Sequence, residues 1–433
     1  MGKRIPVRAA PEPLAAARVA QRPSQVSVAM SEVAESVKDG LLAFSVATGL
    51  VVVRELLEAE VSALVGPKHA KLPERSAVRH GATSGSLVLG GRTVSVTRPR
   101  ARTLDGHEVG LDTWAAFSSR DLLDQIVLER MLAGVATRRH GDVAEPLGEQ
   151  LEERTSGAGR SAVSRRFVAA TTQAIEELMS RDLSTLQVAV AMIDGVVLAG
   201  QCCVVALLIT SDGRKVPAGI YLGDTENKTV VAGLLSDLQA RGLSVANGIL
   251  VVIDGSKALA AGVRKVWGEA AQIQRCTLHK RRDVAGYLSG ELAQRIDRRL
   301  AGAFAHPDPA AGLRRAQAIA AEIKADHPDA AASLLEGLPE MFTVRRLGLS
   351  GTLAVSLSCT NSIESMFSVA RRVMGNVKRW RDGEMKKRWL AAGLLEAERS
   401  FRRIRGCEQM PVLVAALARV TPGTRSGYDE AVA

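Results

Sequence analysis

Two long apolar runs that end in Asp-Gly restrict what this chain can fold into more than any other feature. The first run, VAVAMIDG, ends at Asp194, and the second, ILVVIDGSK, ends at Asp254. Continuous apolar runs closed by glycine are typical of strands that are buried on both faces of a sheet. The sequence therefore predicts two central strands, each of which ends at an aspartate.

The segments around these two runs predict the order of a whole sheet. Three strand-like runs begin at residue 187, and a helix at about 226–241, the strand ILVVID, a helix at 256–267 and the strand AQIQRC follow them. This is the order of an RNase-H-like core, an α/β fold with a mixed five-stranded sheet in which the first and fourth strands are neighbours. We therefore expect residues 187–279 to form the first part of this core, with Asp194 beside Asp254.

A third carboxylate, Glu364, lies at the start of a predicted helix in NSIESMFSVARR. The segment between Asp254 and Glu364 is too long for a single loop in a compact core. Residues 280–355 are rich in Ala, Leu and Arg with helical breaks at His-Pro pairs, which predicts an all-helical insertion. Core helices that include Glu364 are then expected at 356–405, and a C-terminal helix and tail at 406–433.

The amino-terminal part is predicted to be a mainly α-helical DNA-binding region at 31–180. Residues 31–66 have helical periodicity, and SLVLGGRTVSVTRPR predicts a β-hairpin at 86–98 around a Gly-Gly turn. The preceding residues 1–30 are basic and rich in Ala and Pro, and we expect them to be a disordered extension.

Residues 118–180 have the pattern of a helix-turn-helix. A helix through 135 precedes a short polar helix near 141–150, and a final helix begins at SAVSRRF. Short polar and arginine side chains at a helix start suit contacts in a major groove. A plain helical bundle is the alternative interpretation.

The charge of the chain indicates a polyanionic partner. The formal net charge is +11, and residues 365–405 hold twelve Lys and Arg residues against four acidic ones. A solvated helix face is the alternative reading of this basic stretch. The candidate DNA contacts are Arg98, Arg100 and Arg102 in the hairpin, Ser161, Ser164, Arg165 and Arg166 in the final amino-terminal helix, Lys280, Arg281 and Arg282, and Arg371, Arg372, Lys378, Arg379 and Trp380. Trp380 and Trp389 would either stack on an unpaired base or pack against the core.

The cysteines and apolar segments indicate in which cellular compartment the protein is found. An odd number of cysteines, five, without framework spacing favours a reducing environment, and Cys202 and Cys203 fit a strand core. The longest apolar run, at 41–53, is too short to span a bilayer, and the first residues lack the apolar segment of a signal peptide. We expect a protein of the bacterial cytoplasm, associated with the nucleoid and not with a membrane.

Taken together, these motifs resemble the mutator-type bacterial insertion-sequence transposases over most of residues 40–420. The similarity rests on SLVLGGRTVSVTRPR, DLLDQIVLERMLAGVATRR, SAVSRRF, MIDG, VVIDGSKAL, QRCTLHKRR, LGLSGTL, TNSIESMFS and NVKRWRDGEMKKRW. The resemblance implies an Asp-Asp-Glu triad at Asp194, Asp254 and Glu364. It also places the family's Cys-x-x-His signature on Cys276 and His279, with Asn361 as a further neighbour of the active site.

The resemblance implies an enzyme that binds the terminal inverted repeats of an insertion sequence. Such an enzyme hydrolyses one strand at each end, and the freed 3′-hydroxyl then attacks a second phosphodiester. Two Mg²⁺ ions bound by the triad are the expected cofactors, with Mn²⁺ as a substitute. The expected partners are double-stranded DNA, as inverted repeats and as target, and further copies of the chain in a homodimer or higher oligomer on DNA. A catalytically silent repressor derived from a transposase and a structure-specific RNase-H-like nuclease are the alternatives.

The roles of two further groups stay open. Cys276 and His279 either hydrogen-bond near the active site, contact the DNA backbone, or form a buried core pair. Zinc is disfavoured because two ligands do not make a structural site. Asp224 and Glu226 are a rival acidic pair, and their position before a helix is more typical of helix capping.

Overall fold

The computed structural model describes residues 41–68, 76–89, 91–118, 120–144, 155–223 and 227–421. The chain forms two compact units, of which one ends at Ala170 and the other begins at Thr171. Asp224 and Glu226 lie outside the described residues, as do residues 1–40, which include the predicted extension. Among the described helices, none is both long enough and apolar enough to cross a membrane.

The first unit is built around an antiparallel hairpin packed on a helix. Its elements are α1 (Leu41–Val65), β1 (Ala77–Leu89), β2 (Arg92–Thr103), α2 (Asp112–Ser118), α3 (Arg120–Leu132), the short strand β3 (Thr155–Ser156) and α4 (Arg160–Ser180), which runs on into the second unit. Leu57 and Val61 of α1 pack in one core with Leu87 and Val94 of the hairpin. The predicted hairpin is confirmed, and it is longer than residues 86–98 because pairing extends from Leu89↔Arg92 to Ala77↔Thr103.

Three local features of the first unit differ from the prediction. The helix that was expected to run through residue 135 ends at Leu132 as α3, and α2 at Asp112–Ser118 was not predicted. Residues 141–144 of the predicted polar helix form a turn, and its remaining residues lie outside the described part. The chain before α4 forms the short strand β3, which pairs with β2 through Val94↔Thr155 and was not predicted.

The second unit contains a mixed five-stranded sheet, as predicted. Its elements are β4 (Val188–Leu198), β5 (Gln201–Thr210), β6 (Lys215–Gly223), α5 (Lys228–Ala240), β7 (Ile249–Ile253), α6 (Lys257–Trp267) and β8 (Ala271–Arg275). The strand order is β6-β5-β4-β7-β8. The pairs β4–β5 and β5–β6 are antiparallel, whereas the pairs β4–β7 and β7–β8 are parallel.

The apolar runs explain why β4 and β7 are central. Every residue of β7, from Ile249 to Ile253, is fully buried. Burying a side chain of this kind contributes about 1.5–3 kcal/mol, and only a strand covered on both faces can bury all of them. The turn from β4 to β5 is tight, because Ala199 and Gly200 both have positive φ, at 46° and 78°.

Helices make up the rest of the second unit. They are α7 (Thr277–Gly286), α8 (Gly290–Phe304), α9 (Pro309–Ile323), α10 (Pro328–Leu335), α11 (Thr343–Arg346), α12 (Gly351–Leu357), α13 (Asn361–Met374), α14 (Gly383–Arg399) and α15 (Met410–Val420). The predicted helical insertion has its own core, which includes Leu300, Ala316, Leu334 and Phe342. The predicted breaks at the two His-Pro pairs are confirmed, because His306-Pro307 lies between α8 and α9, and Pro328 occupies the first turn of α10, where proline is tolerated.

Candidate active site

The sheet places the two predicted aspartates side by side. In the parallel pair β4–β7, Ile193 is in register with Ile253, so Asp194 and Asp254 are the next residues on adjacent strands. Neighbouring strands lie about 4.7–4.9 Å apart. Asp194 is buried, at 8% exposure, and Asp254 is half-buried. The adjacency that the strand order predicted is therefore present. The prediction that both strands end at an aspartate is right for Asp254, which directly follows β7, and wrong for Asp194, because β4 continues to Leu198 as the partner of β5.

Each aspartate also has a local structural role. An Asp194 carboxylate oxygen accepts from the backbone N–H of Gly195 at 2.8 Å. One oxygen of Asp254 accepts from the N–H of Ser256 at 2.7 Å, and the Ser256 hydroxyl caps α6 by accepting from Leu259. The contact of Asp254 fixes the turn after β7, whereas that of Asp194 lies within β4, which continues to Leu198.

Glu364 reaches the same edge of the sheet through a short series of contacts. The N–H of Cys276 donates to the carbonyl of Ile253 at 2.7 Å, directly before Asp254. The Thr360 hydroxyl is 3.5 Å from the Cys276 sulfur and donates to Glu364 Oε1 at 2.7 Å. Helix α13, which carries Glu364 in its first turn, also packs against β4. Glu364 is thus connected to Ile253, the residue before Asp254, and its helix packs against the strand that carries Asp194.

Cys276 and His279 form a cluster with Glu364. One ligand atom from each of the three lies within 4.8 Å of the others, and His279 Nε2 is 3.8 Å from Glu364 Oε1. The hydrogen bond with Cys276 raises the pKa of His279 to about 9 despite burial, and the negative charges of Glu364 and Asp194 act in the same direction. Burial raises the pKa of the Cys276 thiol, but hydrogen bonds from His279 and Thr360 outweigh it and lower that pKa overall. Of the three open interpretations, the structure supports hydrogen bonding beside the candidate site.

Among the described residues, only Cys276, His279 and Glu364 bring three candidate ligand atoms this close together, and the predicted set of three carboxylates shares Glu364 with this group. Asp194, Asp254 and Glu364 offer hard carboxylate oxygens, which suit Mg²⁺. Cys276, His279 and Glu364 are a mixed sulfur, nitrogen and oxygen set, which suits softer cations such as Zn²⁺. Sequence spacing alone could not show that Glu364 lies close to Cys276 and His279. Asn361, the predicted neighbour, is the exposed first residue of α13.

The basic run after Cys276 has mainly structural contacts. Lys280 is buried, at 3% exposure, and its ammonium donates to the Ser333 carbonyl at 2.6 Å. Burial lowers the pKa of Lys280. Arg281 binds Asp297 through two hydrogen bonds of 2.8 and 2.6 Å. The prediction that Lys280 contacts DNA phosphate is therefore wrong, because its side chain connects α7 to α10. Of the three residues, only Arg282 is exposed.

The arginines of the hairpin surround one carboxylate. Arg100 makes two hydrogen bonds to Glu108, at 2.8 and 2.5 Å, and Arg98 and Arg102 lie 4.0 and 3.6 Å from the same side chain. The hydrogen bond from Arg100 lowers the pKa of Glu108 to about 2. Arg98 also stacks over the Trp114 ring at 4.9 Å. The three arginines do lie on one side of the strand, and Glu108 neutralises part of their charge.

At the polar start of α4, one of the four predicted DNA contacts already has a partner within the protein. Ser161, Ser164 and Arg165 are exposed. Arg166 is half-buried and pairs with Asp124 of α3 at 2.5 Å. The structure thus leaves three of these four predicted contacts on the surface, and gives Arg166 a partner within its own unit.

The basic stretch after Glu364 is largely on the surface. Arg371, Arg372, Lys378 and Arg379 are exposed, and Trp380 is half-buried. The two tryptophans of this stretch differ, because Trp389 is buried in α14 at 7% exposure and belongs to the core. Of the two aromatic side chains considered for base stacking, only Trp380 is accessible.

Sequence reasoning missed two residues that contact this site. Thr360 contacts Cys276, His279 and Glu364. Arg275 is buried and donates from Nη1 to the carbonyl of Gly255, the residue after Asp254, at 2.9 Å. A threonine directly before a helix was a visible signal for the first, whereas nothing local distinguishes Arg275 from a surface arginine.

Comparison with known proteins assigns the chain to a family. A stretch of 241 residues is 30% identical to the transposase for insertion sequence element IS905 of Lactococcus lactis subsp. lactis (strain IL1403), covering 53% of this chain and 58% of that protein. A stretch of 170 residues is 26% identical to the transposase for insertion sequence element IST2 of Acidithiobacillus ferrooxidans, covering 39% of this chain and 56% of that protein. The chain thus covers less than two thirds of either relative. The family model described as Transposase, Mutator family matches residues 20–403, and this chain belongs to that family.

Proposed function

We propose that this chain is a DNA transposase that cuts and joins the ends of an insertion sequence with Asp194, Asp254 and Glu364. The observation that carries the proposal is that Asp194 and Asp254 directly follow Ile193 and Ile253, the last in-register pair of the parallel strands β4 and β7. Contacts through Thr360 and Cys276 connect Glu364 to Ile253, the residue before Asp254, and support its place as the third member. Family membership supplies the reaction class, since two relatives are transposases for insertion sequence elements.

The strand order supports an RNase-H-like core. Three antiparallel strands followed by two parallel strands, in the order β6-β5-β4-β7-β8, match the order expected of that fold. In this arrangement, the first and fourth strands of the core are parallel neighbours, and Asp194 and Asp254 directly follow their last paired residues, Ile193 and Ile253. A fold supports many functions, so the proposal rests on the carboxylates and not on the fold alone.

The three carboxylates suit a pair of divalent cations. Two aspartates on adjacent strands repel each other, and a cation between them relieves that repulsion. Asp194 and Asp254 would hold both ions, and Glu364 would complete the ligands of one, with Mg²⁺ as the natural ion and Mn²⁺ as a substitute. Such ions, when bound, lower the pKa of an attacking hydroxyl and stabilise charge on the leaving oxygen.

The chain's own part is to hold the carboxylates and the DNA in position. In cleavage, a water oxygen forms a bond to phosphorus while the bond to the 3′-oxygen breaks, and that oxygen leaves as a hydroxyl. In joining, this 3′-hydroxyl attacks a second phosphodiester and releases a new 3′-hydroxyl. Positioning of the reacting groups contributes much of the rate in such reactions.

Exposed basic residues supply candidate DNA contacts. Arg371, Arg372, Lys378 and Arg379 follow Glu364 on α13 and in the loop after it, and all four are exposed. Contacts of this kind bind phosphate without reading sequence. Recognition of the inverted repeats is proposed for the first unit, where the start of α4 offers exposed Ser161, Ser164 and Arg165. Because two ends must be joined, we propose a dimer or higher oligomer on DNA.

The test uses DNA that carries both ends of the element, taken from the genomic sequence on either side of the coding region. The full chain is incubated with this DNA and Mg²⁺, together with Asp194→Asn, Asp254→Asn and Glu364→Gln variants. Each variant should lose strand cleavage and retain end binding, because the substitutions remove a charge and keep the shape. Glu396→Gln is the matched control, since Glu396 pairs with Arg399 on the surface of α14.

Three results would contradict the proposal. Near-normal cleavage by any of the three variants would remove that residue from the triad. A shift of the DNA without cutting by the unmodified chain would favour the silent repressor. Cutting of branched DNA regardless of sequence would favour the structure-specific nuclease.

A further inference from the structure

Thr360 occupies an unusual position beside Glu364. It is completely buried and directly precedes α13. A threonine at this position commonly caps the helix by accepting from a backbone N–H of the first turn. The Thr360 side chain makes no such bond. Its hydroxyl lies 2.7 Å from Glu364 Oε1, 3.3 Å from His279 Nδ1 and 3.5 Å from Cys276 Sγ.

The number of hydrogen bonds that a hydroxyl can donate and accept determines the roles of these three contacts. A hydroxyl has one proton to donate and two lone pairs that accept. The shortest contact is to the carboxylate, and hydrogen bonds to a charged acceptor are the strongest. Thr360 therefore donates to Glu364 and accepts from Nδ1–H of His279. His279 is placed in turn by α7, since Cys276 caps that helix through the N–H of His279.

We propose that Thr360 is a positioning residue, which holds the Glu364 carboxylate in the rotamer that completes the triad. The proposal rests on the triad of the proposed function and adds to it the residue that orients its third member. Glu364 is half-exposed, at 33%, and a glutamate side chain has several free torsions. Without the hydroxyl, the carboxylate would sample other rotamers and bind a divalent ion less well.

The chain offers matched variants for this idea. Thr360→Val keeps the size and branching of the side chain and removes the hydroxyl, whereas Thr360→Ser keeps the hydroxyl. Thr343→Val is the control for loss of a buried threonine hydroxyl elsewhere. Thr343 is 2% exposed and donates to the carbonyl of Ile273 at 2.6 Å, away from the three carboxylates.

Two measurements are made on the full-length variants. Mn²⁺ affinity is measured by electron paramagnetic resonance titration, and strand cleavage of DNA carrying the element ends is measured as a function of Mg²⁺ concentration. Loss of a residue that orients a metal ligand typically costs about 10- to 100-fold in metal affinity or activity, and we expect this for Thr360→Val. Thr360→Ser and Thr343→Val should remain close to the unmodified chain, and DNA-end binding should be unchanged in all variants.

The outcomes separate this inference from the proposed function. If Glu364→Gln changes Mn²⁺ affinity and cleavage but Thr360→Val changes neither, the role of Thr360 is refuted while the triad stands. If Glu364→Gln changes neither, both proposals fall. If a thermal melt shows that Thr360→Val does not fold, Thr360→Ala is used instead. Alanine removes the hydroxyl without putting a methyl group in its place, and the same losses are expected. Equal losses in Thr360→Val and Thr360→Ser would also refute the role of the hydroxyl.

Discussion

Glu340 binds two arginines, one buried and one exposed. Replacing each in turn tests how much burial adds to the stability that an ion pair contributes. Arg275, at the end of β8, is 6% exposed and donates from Nε to Glu340 Oε2 at 2.5 Å. The same guanidinium binds the carbonyl of Gly255 at 2.9 Å and lies 3.4 Å from Glu336. Arg264 binds the other oxygen of Glu340 and is 56% exposed.

The expected losses of stability differ because only one arginine is buried. Arg275→Met leaves Glu340, itself 17% exposed, without its inner partner and strands the carbonyl of Gly255. Removing one partner of a buried ion pair costs about 3–5 kcal/mol. Arg264→Met removes an exposed partner, and such pairs contribute about 0–1 kcal/mol. The carboxylate is shared, so the difference reflects the burial of Arg275 together with its bond to the Gly255 carbonyl.

Thermal unfolding followed by circular dichroism measures this difference. For a unit of this size, the melting temperature shifts by on the order of 2 °C per kcal/mol. Arg275→Met should therefore lower the melting temperature by about 6–10 °C and Arg264→Met by about 0–2 °C. Because Gly255 follows Asp254, we also expect Arg275→Met to cleave DNA more slowly at temperatures where it is folded. Equal shifts for the two variants would refute the argument from burial.

Three further predictions follow from the surface and the insertion. Arg379→Ala should lower the salt dependence of DNA binding, measured by fluorescence anisotropy, because it removes an exposed charge, whereas Lys280→Met should lower stability and leave that dependence unchanged. Because the folded pKa of Glu108 is lowered from 4.5 to about 2, its contribution to stability is complete above about pH 4.5 and is lost as pH falls toward 2; Glu108→Gln should flatten this part of the stability profile, measured by urea unfolding. Gly337→Ala should destabilise the insertion in a thermal melt, since φ is +63° and the new Cβ would lie 2.5 Å from Arg275.

Each of these three predictions has a contrary result. A reduced salt dependence in Lys280→Met would mean that this side chain reaches phosphate despite its burial. An unchanged pH profile in Glu108→Gln would mean that the ion pairs of Glu108 do not contribute in solution. A neutral Gly337→Ala would mean that the turn before the 3₁₀ helix at Leu338–Phe342 adjusts without cost.

The apolar pattern was enough to predict the five-stranded sheet and the adjacency of Asp194 and Asp254. Runs buried on both faces must lie inside a sheet, and the order of strands and helices leaves few ways to connect them. The hairpin and the helical insertion were predictable for the same reason, since turn residues and periodicity are local. Short elements were harder to predict, as the strand β3 and the helix α2 illustrate.

Side-chain partners could not be predicted in this way. Lys280 and Arg282 belong to one basic run, yet the first is buried against Ser333 and the second is exposed. Trp380 and Trp389 lie in one basic stretch, and only Trp389 is buried. In both cases, the outcome depends on which face of a helix meets another part of the chain.

The sequence by itself determined the strands, the helices and the three acidic positions, because residue periodicity encodes which faces are apolar. Only the tertiary structure decided that Thr360 would contact Glu364, and that Arg275 would bind beside Asp254. Such contacts join residues from separate elements, and their geometry depends on how those elements pack rather than on any local pattern.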